Sequence, residues 1–74
     1  MRQFIGKLPT KERGVVDEIY IAETVRCRDC QKTSPMGIEV VTVKKQGKNK
    51  IILRRAFFCR VHGAEYHSRA QGDH

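Results

Sequence analysis

The chain has 74 residues, enough for one small domain and too few for several, and its hydrophobic content of 39% supplies only a thin core. A domain of this size needs further support from disulfides, a metal ion or a partner chain. Fifteen Lys and Arg against eight Asp and Glu give a net charge of +7, which favours polyanionic partners.

The predicted elements begin after an N-terminal segment, residues 1–14, which we expect to be irregular because Gly6 and Pro9 interrupt it. Residues 19–27 predict a β-strand, since apolar side chains alternate along it. One face of this strand would carry Ile19, Ile21, Val25 and Cys27. Loop-forming residues then crowd residues 28–37.

A β-hairpin and a short helix complete the predicted elements. Residues 38–43 and 51–58 are rich in β-branched and apolar side chains and flank a polar turn over residues 44–50. Residues 64–70 contain few side chains that favour strands, and they suit two helical turns. We expect residues 71–74 to form a frayed tail.

Two pairs of metal-binding residue types stand out: Cys27 with Cys30, and Cys59 with His62. Each pair encloses two residues, and 28 residues separate the pairs. A tetrahedral Zn²⁺ site needs four nitrogen or sulfur ligands, which two such pairs supply. Because the predicted hairpin lies between the pairs, it would bring them together. The sequence therefore predicts one structural zinc ion, which would supply the support that a small core lacks.

This order of parts resembles the treble-clef zinc finger, in which a zinc knuckle and a β-hairpin precede a helix whose first turn carries the second ligand pair. The resemblance covers about residues 19–70. It implies a small α+β zinc-stabilised domain, which we place over residues 15–70. No particular activity follows, because treble clefs serve many functions. A zinc ribbon, with its second pair on another knuckle and no helix, is the nearest alternative.

Alternatives remain open for the individual cysteines and histidines. His67 could replace His62 as the fourth ligand, although His62 has the better spacing. The cysteines could instead be scattered buried thiols, or Cys27 and Cys30 could form a redox pair. An odd number of cysteines cannot close a disulfide framework within one chain and favours a reducing, cytoplasmic compartment. No apolar run is long enough to cross a membrane, so we expect no membrane partner.

Positive charge concentrates in the second half of the sequence. Residues 1–39 carry seven basic and six acidic side chains, whereas residues 40–74 carry eight and two. Because Lys and Arg contact phosphates, we expect a non-enzymatic zinc finger that binds DNA or RNA through its basic hairpin, in transcription, translation or phage machinery. The predicted contact residues are Lys44, Lys45, Lys48, Lys50, Arg54, Arg55 and Arg60. The alternative is a small adaptor or inhibitor that docks on an acidic patch of a larger protein.

The sequence lacks the catalytic motifs of the zinc enzymes that it could resemble. Treble-clef nucleases place a catalytic His on the hairpin, and residues 38–50 contain none. The His-x-Glu pair of zinc deaminases is also absent. Four protein ligands would leave the zinc no open position for an activated water. We therefore expect a protein that is not an enzyme and has no small-molecule substrate.

Overall fold

Four β-strands precede one α-helix in the computed structural model, which describes residues 2–72. The elements are β1 (Arg2–Pro9), β2 (Val15–Arg26), β3 (Thr33–Gln46), β4 (Asn49–Phe58) and α1 (Ala64–Gly72). The strands form one antiparallel sheet in the order β1-β2-β3-β4. This arrangement confirms the predicted α+β class, with the hairpin and the helix in the predicted order.

The connections between consecutive antiparallel strands lie alternately at the two ends of the sheet. We call one end the turn end; it contains residues 10–14, which join β1 to β2, and residues 47–48, which join β3 to β4. The backbone N–H of Lys45 donates to the carbonyl of Gly14 at 3.2 Å there. The opposite end contains residues 27–32 and 59–63, and we call it the cysteine end.

The β3–β4 hairpin is longer than the sequence predicted, and its turn is correspondingly shorter. Lys44, Lys45 and Gln46 belong to β3 and pair with residues of β4, which leaves a two-residue connection. Gly47 has a φ of 63°, a conformation that favours glycine at the first central position of a tight hairpin turn. The polar composition of residues 44–50 indicated a loop, but cross-strand pairing extends both strands through it.

The helix α1 packs on one face of the sheet, which we call the helix face, and covers the apolar core. Gly6 lets α1 approach β1 closely, because a Cβ there would lie 2.7 Å from the carbonyl oxygen of Ala70. Tyr66 of α1 stacks on Phe58, with ring centroids 5.3 Å apart. The buried cluster consists of Leu8, Ile19, Cys27, Ile38, Val40 and Phe58.

The other face of the sheet, the second face, holds two buried carboxylates, each with cationic neighbours. Glu39, only 4% exposed, lies 2.8 Å from Arg2 and 3.0 Å from Arg55. Glu18, 5% exposed, accepts hydrogen bonds from the Tyr20 hydroxyl at 2.9 Å and from Lys50 Nζ at 3.2 Å. Buried charge is costly unless it is paired, and these contacts provide the pairing.

Burial would raise the pKa of Glu18, but the hydrogen bonds from Tyr20 and Lys50 outweigh it, so the pKa lies below its ordinary value. The hydroxyl of Tyr20 shows the complementary effect. Burial and the hydrogen bond to Glu18 raise its pKa. The pair is therefore most stable with the carboxylate ionised and the phenol protonated.

The expected irregular N-terminal segment is wrong for residues 2–9, which form β1. An edge strand tolerates the glycine and the proline that suggested a loop. Pro9 is the last residue of the strand, and the pairing register with β2 shifts between Phe4 and Gly6. The predicted strand at residue 19 begins earlier, at Val15. The first two residues of the predicted tail, 71–74, belong to α1, and the last two lie outside the described residues.

Candidate metal centre

The first cysteine pair lies on a tight turn at the end of β2. The N–H of Cys27 donates to the carbonyl of Lys32 at 3.0 Å, and the N–H of Gln31 donates to the carbonyl of Cys27 at 2.9 Å. Gln31 has a φ of 63°, so the chain reverses sharply after Cys30. The N–H of Arg28 donates to the backbone carbonyl of Phe57 in β4 at 2.7 Å. These bonds hold the turn against the neighbouring hairpin.

The second pair lies on a turn directly before α1, not on the helix itself as the sequence suggested. The helix begins at Ala64, whereas Cys59 and His62 precede it. The N–H of Gly63 donates to the carbonyl of Cys59 at 2.8 Å, which closes one helix-like turn. The N–H of His62 also donates to Cys59 Sγ at 3.4 Å. The predicted proximity of the two side chains is present, but a turn produces it.

The four side chains converge on one point. Nδ1 of His62 lies 3.1 Å from Cys59 Sγ and 3.5 Å from Cys27 Sγ, and Cys30 Sγ lies 3.9 Å from Cys59 Sγ. All four ligand atoms lie within 4.8 Å of one another. Ligands at about 2.3 Å around a tetrahedral ion are about 3.8 Å apart. The group can therefore hold one metal ion.

The centre lies at the edge of the core, between β2, β4 and α1. Cys27 is completely buried and belongs to the apolar cluster, Cys30 and Cys59 are half-buried, and His62 is exposed. The Arg28 guanidinium lies over the Phe58 ring, 4.8 Å from its centroid. The protein thus shields the sulfur side of the centre from water and leaves the imidazole side open.

The pKa values of the three thiols differ because their hydrogen bonds differ. Burial opposes ionisation of Cys27, but backbone N–H groups, including those of Cys30 and Cys59, lower its pKa. The pKa of Cys59 is lowered chiefly by the backbone N–H of His62. The N–H of Lys32 favours the thiolate of Cys30, yet burial and the two neighbouring thiols raise its pKa. A bound cation would offset the repulsion among three thiolates.

The other candidate ligand, His67, lies in α1 outside this group. Its side chain lines a cavity between α1 and the sheet, together with Ile21 and Ile38. The structure therefore places His62, which has the Cys-x-x-His spacing, with the three cysteines and leaves His67 outside the group.

The seven residues predicted to contact nucleic acid do not form one surface. Arg54 and Arg55 are neighbours in β4 and point to opposite faces of the sheet. Arg60 lies at the cysteine end, about 30 Å along β4 from the turn end. Three of the seven form ion pairs: Lys44 with Glu12 at 3.8 Å, Lys50 with Glu18 at 3.2 Å and Arg55 with Glu39 at 3.0 Å.

Four exposed cations gather instead at the turn end, and sequence reasoning missed two of them. Lys45 and Lys48 come from the β3–β4 hairpin, and Lys11 and Arg13 come from the connection between β1 and β2. Within residues 2–72, none of these four forms an ion pair. Recognising β1 in the sequence would have placed both connections at the same end.

Comparisons with protein-family models, with curated protein sequences and with solved structures gave no match. Across residues 2–72, no helix has the length and apolar character needed to span a membrane.

Proposed function

We propose that this chain is a structural zinc protein of the treble-clef type. The convergence of Cys27, Cys30, Cys59 and His62 carries the proposal. The β3–β4 hairpin lies between the two ligand pairs and α1 follows the second pair, which is the treble-clef order. This chain differs from the pattern in placing the second pair before the helix, and its hairpin belongs to a four-stranded sheet.

Zinc is the metal that this donor set favours. Three thiolates and one imidazole in a tetrahedral arrangement suit Zn²⁺, whereas Mg²⁺ and Ca²⁺ prefer oxygen ligands. A site with four protein ligands has no open position for substrate or water, which supports a structural role and a non-enzymatic protein. Three cysteines that must remain reduced also support a cytoplasmic location.

Metal analysis of protein purified without added zinc tests this proposal. We expect about one equivalent of zinc per chain, with release of metal when His62 is replaced by Ala. His67→Ala is the matched control, because it removes an imidazole outside the ligand group. Folded protein with no bound metal would contradict the proposal.

We further propose that the turn end binds the phosphate backbone of DNA or RNA. The supporting observation is that the β1–β2 connection and the tip of the β3–β4 hairpin meet there and carry four exposed cations: Lys11, Arg13, Lys45 and Lys48. None of the four forms an ion pair among the described residues. Each phosphate contact releases condensed counterions, so such a surface gives affinity with little dependence on sequence. Accessory roles in transcription, translation or phage machinery would use binding of this kind.

The salt dependence of binding to random duplex and to single-stranded RNA tests the nucleic-acid proposal. Lys45→Ala with Lys48→Ala should flatten the slope of log affinity against log salt by about two units, and Lys11→Ala with Arg13→Ala should do the same. Lys32→Ala with Arg69→Ala removes equal charge away from the turn end and is the control. Equal effects of all three double variants would contradict a site at the turn end.

A second candidate function is docking on an acidic patch of a larger protein. It is favoured by exposed apolar side chains on the outer strand β4, at Ile51, Ile52 and Leu53, beside the exposed cation Arg54. A complex with one protein that persists after nuclease treatment, together with negligible binding to DNA and RNA at low salt, would favour this function over nucleic-acid binding.

A further inference from the structure

A cavity with a volume of about 280 Å³ lies between α1 and the helix face, beside the metal centre. It is separate from the turn end, since the residues around it belong to the cysteine-end half of the sheet, to the turn over residues 59–63 and to α1. The lining residues are Ile21, Met36, Ile38, Arg60, Ala64 and His67. The cavity is thus bounded by β2, β3, α1 and the turn over residues 59–63, which we call the metal turn.

The lining combines an aliphatic floor with two nitrogen donors. Ile38 is buried, and Ile21 is half-buried beside it. Arg60 and His67 supply guanidinium and imidazole N–H groups. No acidic side chain lines the cavity within the part of the chain that the structure describes, and no ion pair there involves Arg60. The lining therefore favours a ligand with an anionic head and an apolar body.

Two features hold the walls in place. Met36 has a φ of 55°, a left-handed conformation that side chains other than glycine rarely adopt and that is often associated with functional sites. Its side chain is 49% exposed even though it borders this apolar space. On the opposite wall, Arg60 lies between Cys59 and His62, so a bound metal would fix the turn that carries it. The walls thus include one residue with an uncommon backbone conformation and one residue between two candidate metal ligands.

We propose that this cavity binds a small carboxylate with a short apolar chain. The carboxylate would accept hydrogen bonds from Arg60 and His67, while the chain would lie against Ile21, Ile38 and Met36. Charge-assisted hydrogen bonds of this kind are stronger than neutral ones. A nucleotide base fits the lining less well, because no Phe, Tyr or Trp among residues 2–72 lines the cavity for stacking. The ligand is bound without being transformed.

Calorimetric titration of the metal-loaded chain with octanoate and with octanol tests the proposal. Both probes carry the same apolar chain, but only octanoate carries the charge. We expect octanoate to bind about tenfold more tightly than octanol. Equal affinity for the two probes, or no binding of octanoate, would overturn the proposal.

Substitutions locate the head group. Arg60→Gln and His67→Gln should each weaken octanoate binding about tenfold and leave octanol binding unchanged. Arg69→Gln is the matched control on α1, because Arg69 is exposed and does not line the cavity. If neither cavity variant weakens octanoate binding, the proposal is wrong.

A further variant guards against disturbance of the adjacent metal turn. Ala64→Leu enlarges a lining side chain without touching a metal ligand or a cationic group. It should reduce the affinity for octanoate and for octanol alike, because both need the same apolar space. Unchanged affinity for both probes in Ala64→Leu would show that they bind elsewhere and would overturn the proposal. If Arg60→Gln loses its metal, His67→Gln and Ala64→Leu decide the outcome.

Discussion

The two ends of the same sheet are stabilised in different ways. At the cysteine end, the helix covers the sheet, Phe58 is 2% exposed, and four metal-binding side chains converge. Within the described range, residues 2–72, no helix covers the sheet at the turn end, and Ile52 on β4 is 53% exposed. Long-range pairing of β3 with β2 and β4 connects the two ends.

The difference shows how a chain of this size can have residues that stabilise the fold at one end and exposed charged residues at the other. The candidate ligands and the helix lie at the cysteine end, where they can stabilise the fold, although Val15 and Val43 near the turn end are also buried. The exposed cations of the other end can then change with little effect on the core. Experiments that perturb each end separately should show large effects on stability at the cysteine end and small ones at the turn end.

Metal removal should have the largest effect. The free energy of zinc binding in small domains is about 10–16 kcal/mol and is at the same time folding free energy. We therefore expect a chelator, or Cys30→Ser, to unfold the domain, as measured by far-UV circular dichroism. Retention of the native spectrum without metal would show that the core and sheet suffice, and would remove the distinction between the two ends.

The next largest effect should come from Phe58 on the helix face. Phe58→Ala removes a buried ring that stacks on Tyr66, and such losses cost about 3–5 kcal/mol of unfolding free energy. Ile52→Ala at the turn end should cost less than about 1 kcal/mol, because half of that side chain is already exposed. Urea denaturation of the metal-loaded variants measures both values. Equal costs would contradict the comparison.

Acid should weaken the second face through Glu18. Because its folded-state pKa is lowered, this carboxylate contributes stability above its unfolded pKa of about 4.3, and the contribution is lost as pH falls through the folded pKa. Glu18→Gln should cost about 1–2 kcal/mol at pH 7 and progressively less below about pH 4. Denaturation of both proteins over the part of this pH range in which both retain metal and remain folded measures the difference.

Glu12→Gln at the turn end is the control for this pH dependence. Its carboxylate is 66% exposed and lies 3.8 Å from Lys44, so its removal should change stability by less than about 1 kcal/mol. A cost of Glu18→Gln that stays constant between pH 7 and pH 3 would show that Glu18 contributes through packing alone.

A smaller effect than that of Phe58→Ala or metal removal is expected at the hairpin turn. Gly47→Ala places a side chain on a residue with a φ of 63°, which should cost about 1 kcal/mol, although no described residue would contact the new Cβ. Thermal denaturation of the metal-loaded protein measures this cost. A loss of several kcal/mol would mean that the turn end contributes to the fold as strongly as the cysteine end does.

Local patterns in the sequence predicted much of the architecture. The spacing of Cys27, Cys30, Cys59 and His62 predicted a four-residue group, because two-residue gaps bring paired ligands together in any tight turn. The hairpin and the helix were predictable because side-chain composition distinguishes strand from helix over short segments. The identity of the metal and the binding of nucleic acid remain proposals.

Only the tertiary structure decided the remaining features, because they depend on contacts between residues distant in sequence. Strand pairing with β2 makes β1 a strand in spite of Gly6 and Pro9. The antiparallel strand order brings Lys11 and Lys45 to the turn end, whereas Arg60 lies at the opposite, cysteine end. Lys50 and Arg55 form ion pairs with buried carboxylates on other strands. The sequence does not predict these pairs, because a local charge pattern does not show which acidic residue lies across the sheet.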